Sequence, residues 1–221
     1  MKERILVIGA GNVGSALGHG WLANGHDVRF GVPDQNDPKY RELPKDRLQP
    51  ATERRDADVI VLAVPYAAAR SALSSLGDLT GATVIDCTNP VSMGPDGLHL
   101  VVGHDTSGAE QLAAAVPGAS VFKTLNQTGA ENMRNARDYR PRPVMFVAGD
   151  DAAQKPRVLA LVDELGFDAV DAGPLLNARI LEPLAMLWIE LAMKRGHARE
   201  FAFAIVRRGK GSAQPSDASP D

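Results

Sequence analysis

Three glycines near the start of the chain have the spacing G-x-G-x-x-G, which is typical of loops that bind a dinucleotide. Gly9 permits a tight turn, Gly11 lets the backbone approach a pyrophosphate, and Gly14 allows a helix to pack closely on a strand. The free N–H groups at the start of that helix favour the negative charge of the pyrophosphate. We therefore expect a cofactor site at Gly9, Ala10, Gly11, Asn12, Val13 and Gly14. The alternative is a glycine turn with a structural role.

The end of the second predicted strand is where a chain of this kind distinguishes the two nicotinamide cofactors. An acidic side chain there bonds the ribose 2′-OH of NAD, whereas an Arg accommodates the 2′-phosphate of NADP. The deciding positions are Val32, Pro33 and Asp34, and the first two offer neither chemistry. Asp34 can approach the ribose if the turn is tight, which favours NAD. We include Val32 among the cofactor-site positions, and these residues leave the choice of cofactor open.

Prolines and polar residues gather where three further predicted strands end. One strand ends at Val64 and Pro65, with Tyr66 next, and a second is followed by Asn89. A third leads into the polar stretch 126–130. Ligands of open parallel sheets bind at the carboxyl ends of the strands, so we expect Val64, Pro65 and Asn89 at the site. For Tyr66 and Asn89 two roles stay open: contact with the cofactor, or packing and turn stabilisation.

Few side chains offer acid–base or metal chemistry. Lys123 lies inside a predicted strand, where an ammonium needs a partner, and it is either a catalytic cation or a paired or snorkelling lysine. His99 and His104 are five residues apart, without a Cys or an acidic residue at a metal-ligand spacing. We therefore expect no metal site and assign no catalytic residue.

Apolar runs and helix-compatible stretches alternate along the chain and would position these residues. The predicted strands are 5–8, 27–32, 59–64, 83–87, 119–125, 143–147 and 167–170. The predicted helices are 15–24, 67–76, a helix capped by Thr106 or Ser107 that runs to residue 116, and 151–165, while 34–50 and 93–105 are predicted as loops or broken structure. The alternation predicts an α/β fold: a Rossmann doubly wound, mostly parallel sheet with a short helical C-terminal extension.

The C-terminal part begins at Gly173-Pro174 and contains the most apolar helix, predicted at 177–194. Its apolar residues surround nearly the whole circumference, and a helix of that kind is buried. Because the sheet can cover only one face, we expect a second subunit to cover another, which predicts a homodimer. The predicted organisation is a dinucleotide-binding Rossmann domain at 1–173, a helical segment for dimerisation and the substrate site at 174–208, and a disordered tail at 209–221.

Composition is that of an ordinary globular protein, with 44% hydrophobic and 23% charged residues. The net charge of −3 lacks the basic footprint of a nucleic-acid-binding protein. No apolar run approaches the ~18 residues of a membrane span. Cys87 is the only cysteine, so the chain has no intramolecular disulfide framework. We expect a cytoplasmic protein that acts on a small molecule, without a nucleic-acid or membrane partner.

Nearly the whole chain up to Arg208 resembles the family of NADP-dependent reductases of the deazaflavin coenzyme F420. The glycine loop carries the resemblance together with Val64-Pro65-Tyr66, Ser107-Gly108-Ala109-Glu110, the run from Phe122 to Glu131, Asp171-Ala172-Gly173-Pro174-Leu175, Arg179 and Leu181-Glu182. A similar module forms the reductase part of membrane ferric reductases. The resemblance implies a homodimer and a cofactor site at Ala10, Gly11, Asn12, Val13, Val64, Asn89 and Ala130. The family has a Ser or Asn followed by Arg where this chain has Val32-Pro33, a departure that bears on the preference for NADP over NAD.

The resemblance implies hydride transfer between NAD(P)H and a flavin-like acceptor, either a deazaflavin or a flavin. Direct transfer between two stacked rings needs proximity and orientation rather than proton chemistry, in agreement with the lack of an acid–base pair. One alternative is an NAD(P)-dependent hydroxyacid dehydrogenase or imine reductase, for which about 35 residues after Gly173 form a short second domain. Another is a non-catalytic NAD(P) redox sensor.

Overall fold

The computed structural model describes residues 2–95 and 97–208, which form an eight-stranded sheet, a two-stranded hairpin and six α-helices. The sheet contains β1 (Arg4–Ile8), β2 (Asp27–Val32), β3 (Leu48–Pro50), β4 (Val59–Leu62), β5 (Thr83–Asp86), β8 (Ser120–Lys123), β9 (Val144–Gly149) and β10 (Asp168–Asp171). The hairpin strands are β6 (Val91–Gly94) and β7 (Gly97–Leu100). The helices are α1 (Asn12–Ala23), α2 (Tyr66–Ser74), α3 (Gly108–Ala115), α4 (Ala130–Arg134), α5 (Lys155–Glu164) and α6 (Ala178–Lys194). The predicted tail at 209–221 lies outside the described residues.

The sheet has the strand order β10-β9-β8-β5-β4-β1-β2-β3. Six neighbouring strands, β3, β2, β1, β4, β5 and β8, are parallel and follow the Rossmann order. Strand β9 is antiparallel to β8, and β10 is parallel to β9. Apart from the exposed Arg4, the central strands β1 and β4 consist of branched apolar residues that are buried on both faces of the sheet. The predicted fold class is therefore confirmed: a doubly wound, mostly parallel α/β sheet with a C-terminal helix.

Each face of the sheet has its own hydrophobic core. On one face α1, α4 and α5 pack around large buried side chains that include Trp21, Phe30 and Phe122. The indole N–H of Trp21 donates to the carbonyl of Leu161 at 2.9 Å, which satisfies the one polar group of this buried ring. On the other face α2, α3 and α6 cover a second core around Ile60. The two cores hold the carboxyl ends of the parallel strands at one common edge.

Two stretches that were predicted as loops contain strands. Residues 93–105 include most of the β6–β7 hairpin, in which Ser92 pairs with His99 and Met93 with Leu98. The loop prediction is wrong here because the glycines and histidines obscure a short alternation of apolar side chains. Residues 34–50 end in β3, whose Leu48 pairs with Phe30 at the sheet edge. Three residues are too few to show a period of two, so the sequence pattern could not reveal this strand.

Helix α6 is divided into two faces. Leu181, Ala185 and Trp188 are buried against the rest of the chain, whereas Ile180 and Leu187 remain 65% and 50% exposed. The prediction of an apolar helix is thus confirmed, although within one protomer only one of its apolar faces is buried. After α6 the chain returns as an extended segment, and the carbonyl of Phe203 accepts a hydrogen bond from the N–H of Val144.

None of the helices in the described residues is both long enough and apolar enough to span a membrane.

Candidate functional site

The glycine loop joins β1 to α1 and has the geometry that each glycine predicts. Gly9 has a φ of +92°, and a Cβ there would lie 2.5 Å from the carbonyl oxygen of Ala63. At Gly14 a Cβ would overlap the carbonyl oxygen of Gly9, so only glycine lets α1 pack this closely on the loop. At Gly11 a Cβ would meet no atom of the described residues within 4 Å. The backbone at Gly11 is therefore exposed at the mouth of the strand-end crevice.

The start of α1 fits a pyrophosphate. Gly11 is its N-cap, and among residues 2–95 and 97–208 no side chain caps the helix or places an acidic group in its first turn. The N–H groups of that turn and the helix dipole are thus available to an anion. In contrast, the start of α3 is capped by the hydroxyl of Ser107 and by the carboxylate of Glu182.

The end of β2 offers few polar side-chain groups to a cofactor. The side chain of Val32 is fully buried in the core that α1 covers, so only its backbone lies at the sheet edge. Pro33 and Asp34 are exposed beyond it. The carboxylate of Asp34 accepts the N–H of Asn36 at 2.9 Å and so stabilises its own turn. Whether this edge meets a ribose hydroxyl or a phosphate stays a prediction.

The remaining predicted site residues follow parallel strands at the same edge of the sheet. Val64 and Pro65 follow β4, with Val64 partly buried and Pro65 exposed at the start of α2. Asn89 follows β5 and Ala130 begins α4 after β8. Because β1, β4, β5 and β8 are neighbours in the sheet, the structure brings these residues to one crevice with the glycine loop. Their contact with a cofactor stays a prediction.

The amide side chains at this edge bond to one another. Asn89 donates to the carbonyl of Asn126 at 3.0 Å, and Asn126 returns a bond to the side-chain oxygen of Asn89 at 3.0 Å. The side chain of Gln127 donates to the carbonyl of Phe146 and accepts from its N–H, each at 3.1 Å. The amide thus makes the two bonds that the backbone of a neighbouring strand would make. The polar residues after β5 and β8 therefore fix the crevice in shape.

Of the two roles considered for Lys123, a catalytic cation or a lysine paired with acidic side chains, the structure shows the paired one. Its side chain is completely buried, and its ammonium lies 2.9 Å from Asp86 Oδ2, 3.1 Å from Glu182 Oε1 and 2.5 Å from the carbonyl of Thr88. Asp86 and the Thr88 carbonyl accept hydrogen bonds from the ammonium, and Glu182 forms an ion pair with it. Burial by itself lowers the pKa of Lys123, but the charges of Asp86 and Glu182 outweigh burial and raise that pKa, so the ammonium stays charged.

Glu182 is a buried residue of this network to which reasoning from the chain gave no role. Its two oxygens accept the N–H groups of Gly108 at 2.9 Å and Ala109 at 3.1 Å, and one of them also faces Lys123. The carboxylate is 1% exposed. An acidic residue inside an apolar helix is a signal of a buried partner, although only the fold shows that the partner lies 59 residues earlier in the chain.

Tyr66 packs on the neighbouring helix. A Cβ at Gly108 would lie 2.8 Å from the Tyr66 ring, and the Tyr66 hydroxyl donates to Gln111 at 2.8 Å. Burial raises the pKa of Tyr66, and the charges of Glu182 and Asp86 raise it further. The packing role is thus the one that the structure displays for this side chain.

Burial also raises the pKa of the Cys87 thiol, which stays protonated.

The described residues contain no group of three or more His, Cys, Asp or Glu side chains that could hold a metal ion. His99 lies on β7, and His104 follows it in a loop with a φ of +62°.

Comparisons with known proteins agree with this geometry. The family model described as "NADP oxidoreductase coenzyme F420-dependent" matches residues 4–90. A crystal structure of a candidate F420-dependent NADP-reductase from Arthrobacter sp. FB24 is 30% identical, with a TM-score of 0.83 over 93% of this chain and 100% of that one. Protein SMa0349 from Sinorhizobium meliloti is 25% identical, with a TM-score of 0.71 over 82% of this chain and 90% of that one.

A curated relative, Metalloreductase STEAP3 of Rattus norvegicus, is 28% identical over 191 residues, or 83% of this chain. The chain spans only 37% of the length of that relative. The fold, the glycine loop and the full-length likeness to the Arthrobacter protein lead to one assignment: the chain belongs to the family of coenzyme F420-dependent NADP oxidoreductases and is an NADP-dependent oxidoreductase.

Proposed function

We propose that this chain transfers a hydride directly between NADP(H) and a flavin-like ring, either a deazaflavin or a flavin. The observation that carries the proposal is the bonding of the strand-end polar side chains to one another. The ammonium of Lys123 is enclosed by three acceptors, and the amides of Asn89 and Asn126 pair. Side chains whose polar atoms already bond to one another hold the shape of the crevice for a ligand. They do not serve as mobile proton donors.

The chain's own residues bind and orient. Reduced nicotinamide, when bound, supplies the hydride. The N–H groups at the start of α1 would hold the pyrophosphate beside Gly11, while Val64, Pro65, Asn89 and Ala130 would shape the crevice toward the ring. Orientation of two reactants in a dry crevice can contribute up to about 7–11 kcal/mol toward a barrier, so a constellation of acids and bases is not required.

The acceptor class is inferred from relatives. The Arthrobacter protein is described by coenzyme F420 and NADP, and the rat relative is described as a metalloreductase. A deazaflavin and a flavin present planar rings of the same shape to a neighbouring nicotinamide, with carbon at position 5 in the deazaflavin and nitrogen in the flavin. We therefore propose a flavin-like ring as the acceptor, and NADPH as the donor, with NADH as the competitor that the end of β2 leaves open.

Label transfer tests the proposal. NADPH that carries deuterium at both C4 positions is mixed with the purified protein and a deazaflavin, whose reduced C5 does not exchange its hydrogen with water. Direct transfer places the deuterium on the deazaflavin in ordinary water, and unlabelled NADPH in heavy water serves as the control. Deuterium that appears in the solvent would contradict direct transfer. Binding of NADPH without oxidation, across deazaflavin and flavin acceptors, would instead favour the redox sensor.

Two histidine variants test the absence of proton chemistry. His99→Ala and His104→Asn are expected to leave the hydride-transfer rate within about tenfold of wild type, since general acid–base catalysis contributes about 10²–10⁴-fold. Asn is chosen at His104 because it tolerates the positive φ of that position. A loss of a hundredfold or more in either variant would assign a catalytic role to that histidine.

We further propose that the enzyme acts as a homodimer through the outer face of α6, in the cytoplasm. Ile180 and Leu187 are seven residues apart on one side of this helix and expose 65% and 50% of their surface. A second copy would remove that apolar surface from water. The cytoplasmic location stays a prediction from the single cysteine.

A further inference from the structure

We propose that Lys123 is a positioning residue for the ring end of the crevice: it holds the carbonyl of Thr88 and thereby fixes the turn that carries Asn89. This inference rests on the function proposed above, because that function places the nicotinamide beside this turn. Lys123 would act through the backbone, without touching either ring.

The turn after β5 is held from two sides. The ammonium of Lys123 bonds the Thr88 carbonyl from within the core, while Asp86 Oδ1 accepts the N–H of Thr88 at 2.9 Å. On the other side the amides of Asn89 and Asn126 form a reciprocal pair. Removal of the ammonium leaves the Thr88 N–H bond and the amide pair to hold the turn, and the Thr88 carbonyl loses its partner.

The same ammonium connects the turn to the helices above the sheet. Glu182 bonds Lys123 with one oxygen and spans the first N–H groups of α3 with both. Asn126 also donates to the carbonyl of Leu181 at 3.2 Å, one residue earlier on α6. Thus β5, β8, α3 and α6 meet within one buried network, and Lys123 is the cation at its centre.

Stability alone is a poor reason to keep such a network. Burial of three charges carries a desolvation cost, and well-packed apolar residues of similar volume often replace buried ion pairs without loss of stability. Lys123, Asp86 and Glu182 are each at most 1% exposed, so the cost is fully present. A network placed against the ring end of the crevice has a use that an apolar core does not supply: it fixes the direction of one carbonyl.

The test uses a variant that keeps the net charge. Lys123→Met combined with Asp86→Asn removes one positive and one negative charge, retains an acceptor for the Thr88 N–H, and leaves Glu182 on the start of α3. The matched control is Arg157→Met combined with Glu3→Gln, which removes an ion pair beside a cavity of about 630 Å³ at the amino ends of the strands.

We measure kcat with a deazaflavin, the dissociation constant of NADPH, and the emission of the bound nicotinamide without any acceptor, all on folded protein. In the Lys123 double variant we expect kcat to fall by about tenfold or more and the NADPH dissociation constant to change less than threefold, since a small misplacement of reacting groups costs up to about 10² in rate. The nicotinamide emission should shift toward that of free NADPH. The Arg157 control should stay within threefold of wild type in both constants.

An unchanged nicotinamide emission in the Lys123 double variant would overturn the proposal. So would an equal loss in the Arg157 control, which would show a general effect of lost ion pairs. If the wild type does not reduce the acceptor while the emission still responds to the double variant, the positioning role stands and the proposed acceptor fails.

Discussion

Gly11 and Gly14 are three residues apart, yet a side chain would act on different properties at the two positions. At Gly14 a Cβ overlaps the backbone carbonyl of Gly9, so a substitution there forces the loop and α1 apart and affects folding. At Gly11 a Cβ meets no atom of the described residues within 4 Å, so the fold tolerates it. A methyl group at Gly11 instead enters the space where we expect the pyrophosphate.

Gly11→Ala therefore separates cofactor binding from folding. We expect the NADPH dissociation constant to rise by tenfold or more, while the free energy of unfolding changes by less than about 1 kcal/mol, the usual effect of a Gly-to-Ala change at a helix N-cap. Isothermal titration and urea unfolding measure the two quantities. Gly103→Ala is the control, because a Cβ there also meets no described atom within 4 Å and the position lies outside the glycine loop. Unchanged NADPH affinity in Gly11→Ala would mean that the pyrophosphate lies elsewhere.

Pro33→Arg tests the edge at the end of β2. A guanidinium there can bond the 2′-phosphate, and a charge-assisted hydrogen bond contributes about 1.5–3 kcal/mol. We expect kcat/KM for NADPH to rise by about tenfold or more relative to that for NADH. Ala23→Arg adds the same charge at the far end of α1 and should leave the ratio unchanged. If Pro33→Arg also leaves it unchanged, the 2′-phosphate does not lie at this position.

At the scale of single residues, local chemistry was predictable and distant contact was not. The three glycines could be assigned because their roles depend on a turn within six residues. Lys123 could be identified as needing a partner, but Asp86 and Glu182 lie 37 and 59 positions away, and only the packing of β5 and α6 brings them together. For Val32 the position in the chain correctly indicated the sheet edge, but the sequence could not show that its side chain faces the core.

Helices α3 and α6 are joined by a partly buried contact as well as by the fully buried network. Arg179, near the start of α6, forms two hydrogen bonds to the carboxylate of Glu110 in the first turn of α3, at 2.7 and 2.9 Å. Hydrogen bonding by Arg179 lowers the pKa of Glu110 below its usual value. A carboxyl whose pKa is lowered by folding stabilises the fold above its unfolded pKa and loses that effect as the pH falls through the lowered value.

Arg179→Met should consequently destabilise the protein in a pH-dependent way. We expect a loss of about 1 kcal/mol in the free energy of unfolding at pH 7, in line with hydrogen bonds between charged groups that are partly exposed. The difference from wild type should shrink as the pH falls below about 4.3, where an unfolded Glu takes up its proton. Urea unfolding across this range measures it.

Lys194→Met is the control on the same helix. Lys194 forms an i,i+4 pair with Glu190 on the surface, which contributes little to stability. We expect a change of less than about 0.5 kcal/mol at any pH. A pH-independent loss in Arg179→Met would show that its aliphatic stem, and not its charge, joins the two helices.

Long elements with a clear period were predictable, whereas short ones were not. Strand β2 was predicted at its observed bounds, and α6 within one residue, because each has a long apolar pattern. The hairpin was missed although Pro95 and Gly97 are turn residues between apolar positions, since two four-residue strands carry too few side chains to establish a period. Such strands depend on the neighbouring α6 for their burial, and that contact is not local.

Among the described residues, a crevice lies at the carboxyl ends of the strands and an apolar surface lies on the outside of α6. The surface includes Ile180 and Leu187, which are seven residues apart and so lie on one side of the helix, and Leu176 is exposed just before the helix begins. The sequence showed that α6 has more apolar residues than burial of one helix face requires. It could not show which face is left exposed, since that depends on how Glu182 and Trp188 orient α6 on the sheet.

Ile180→Glu tests whether a second copy covers this surface. Ile180 is 65% exposed in the protomer, so the substitution leaves the core intact, but in a symmetric dimer it places two unpaired carboxylates at an apolar interface. We expect wild type to sediment as a dimer and Ile180→Glu as a folded monomer with an unchanged circular dichroism spectrum. Ala160→Glu, an exposed position on α5, introduces the same charge outside α6 and should remain dimeric. A wild-type monomer at all concentrations, or a dimer that survives Ile180→Glu, would assign the outer face of α6 to another role.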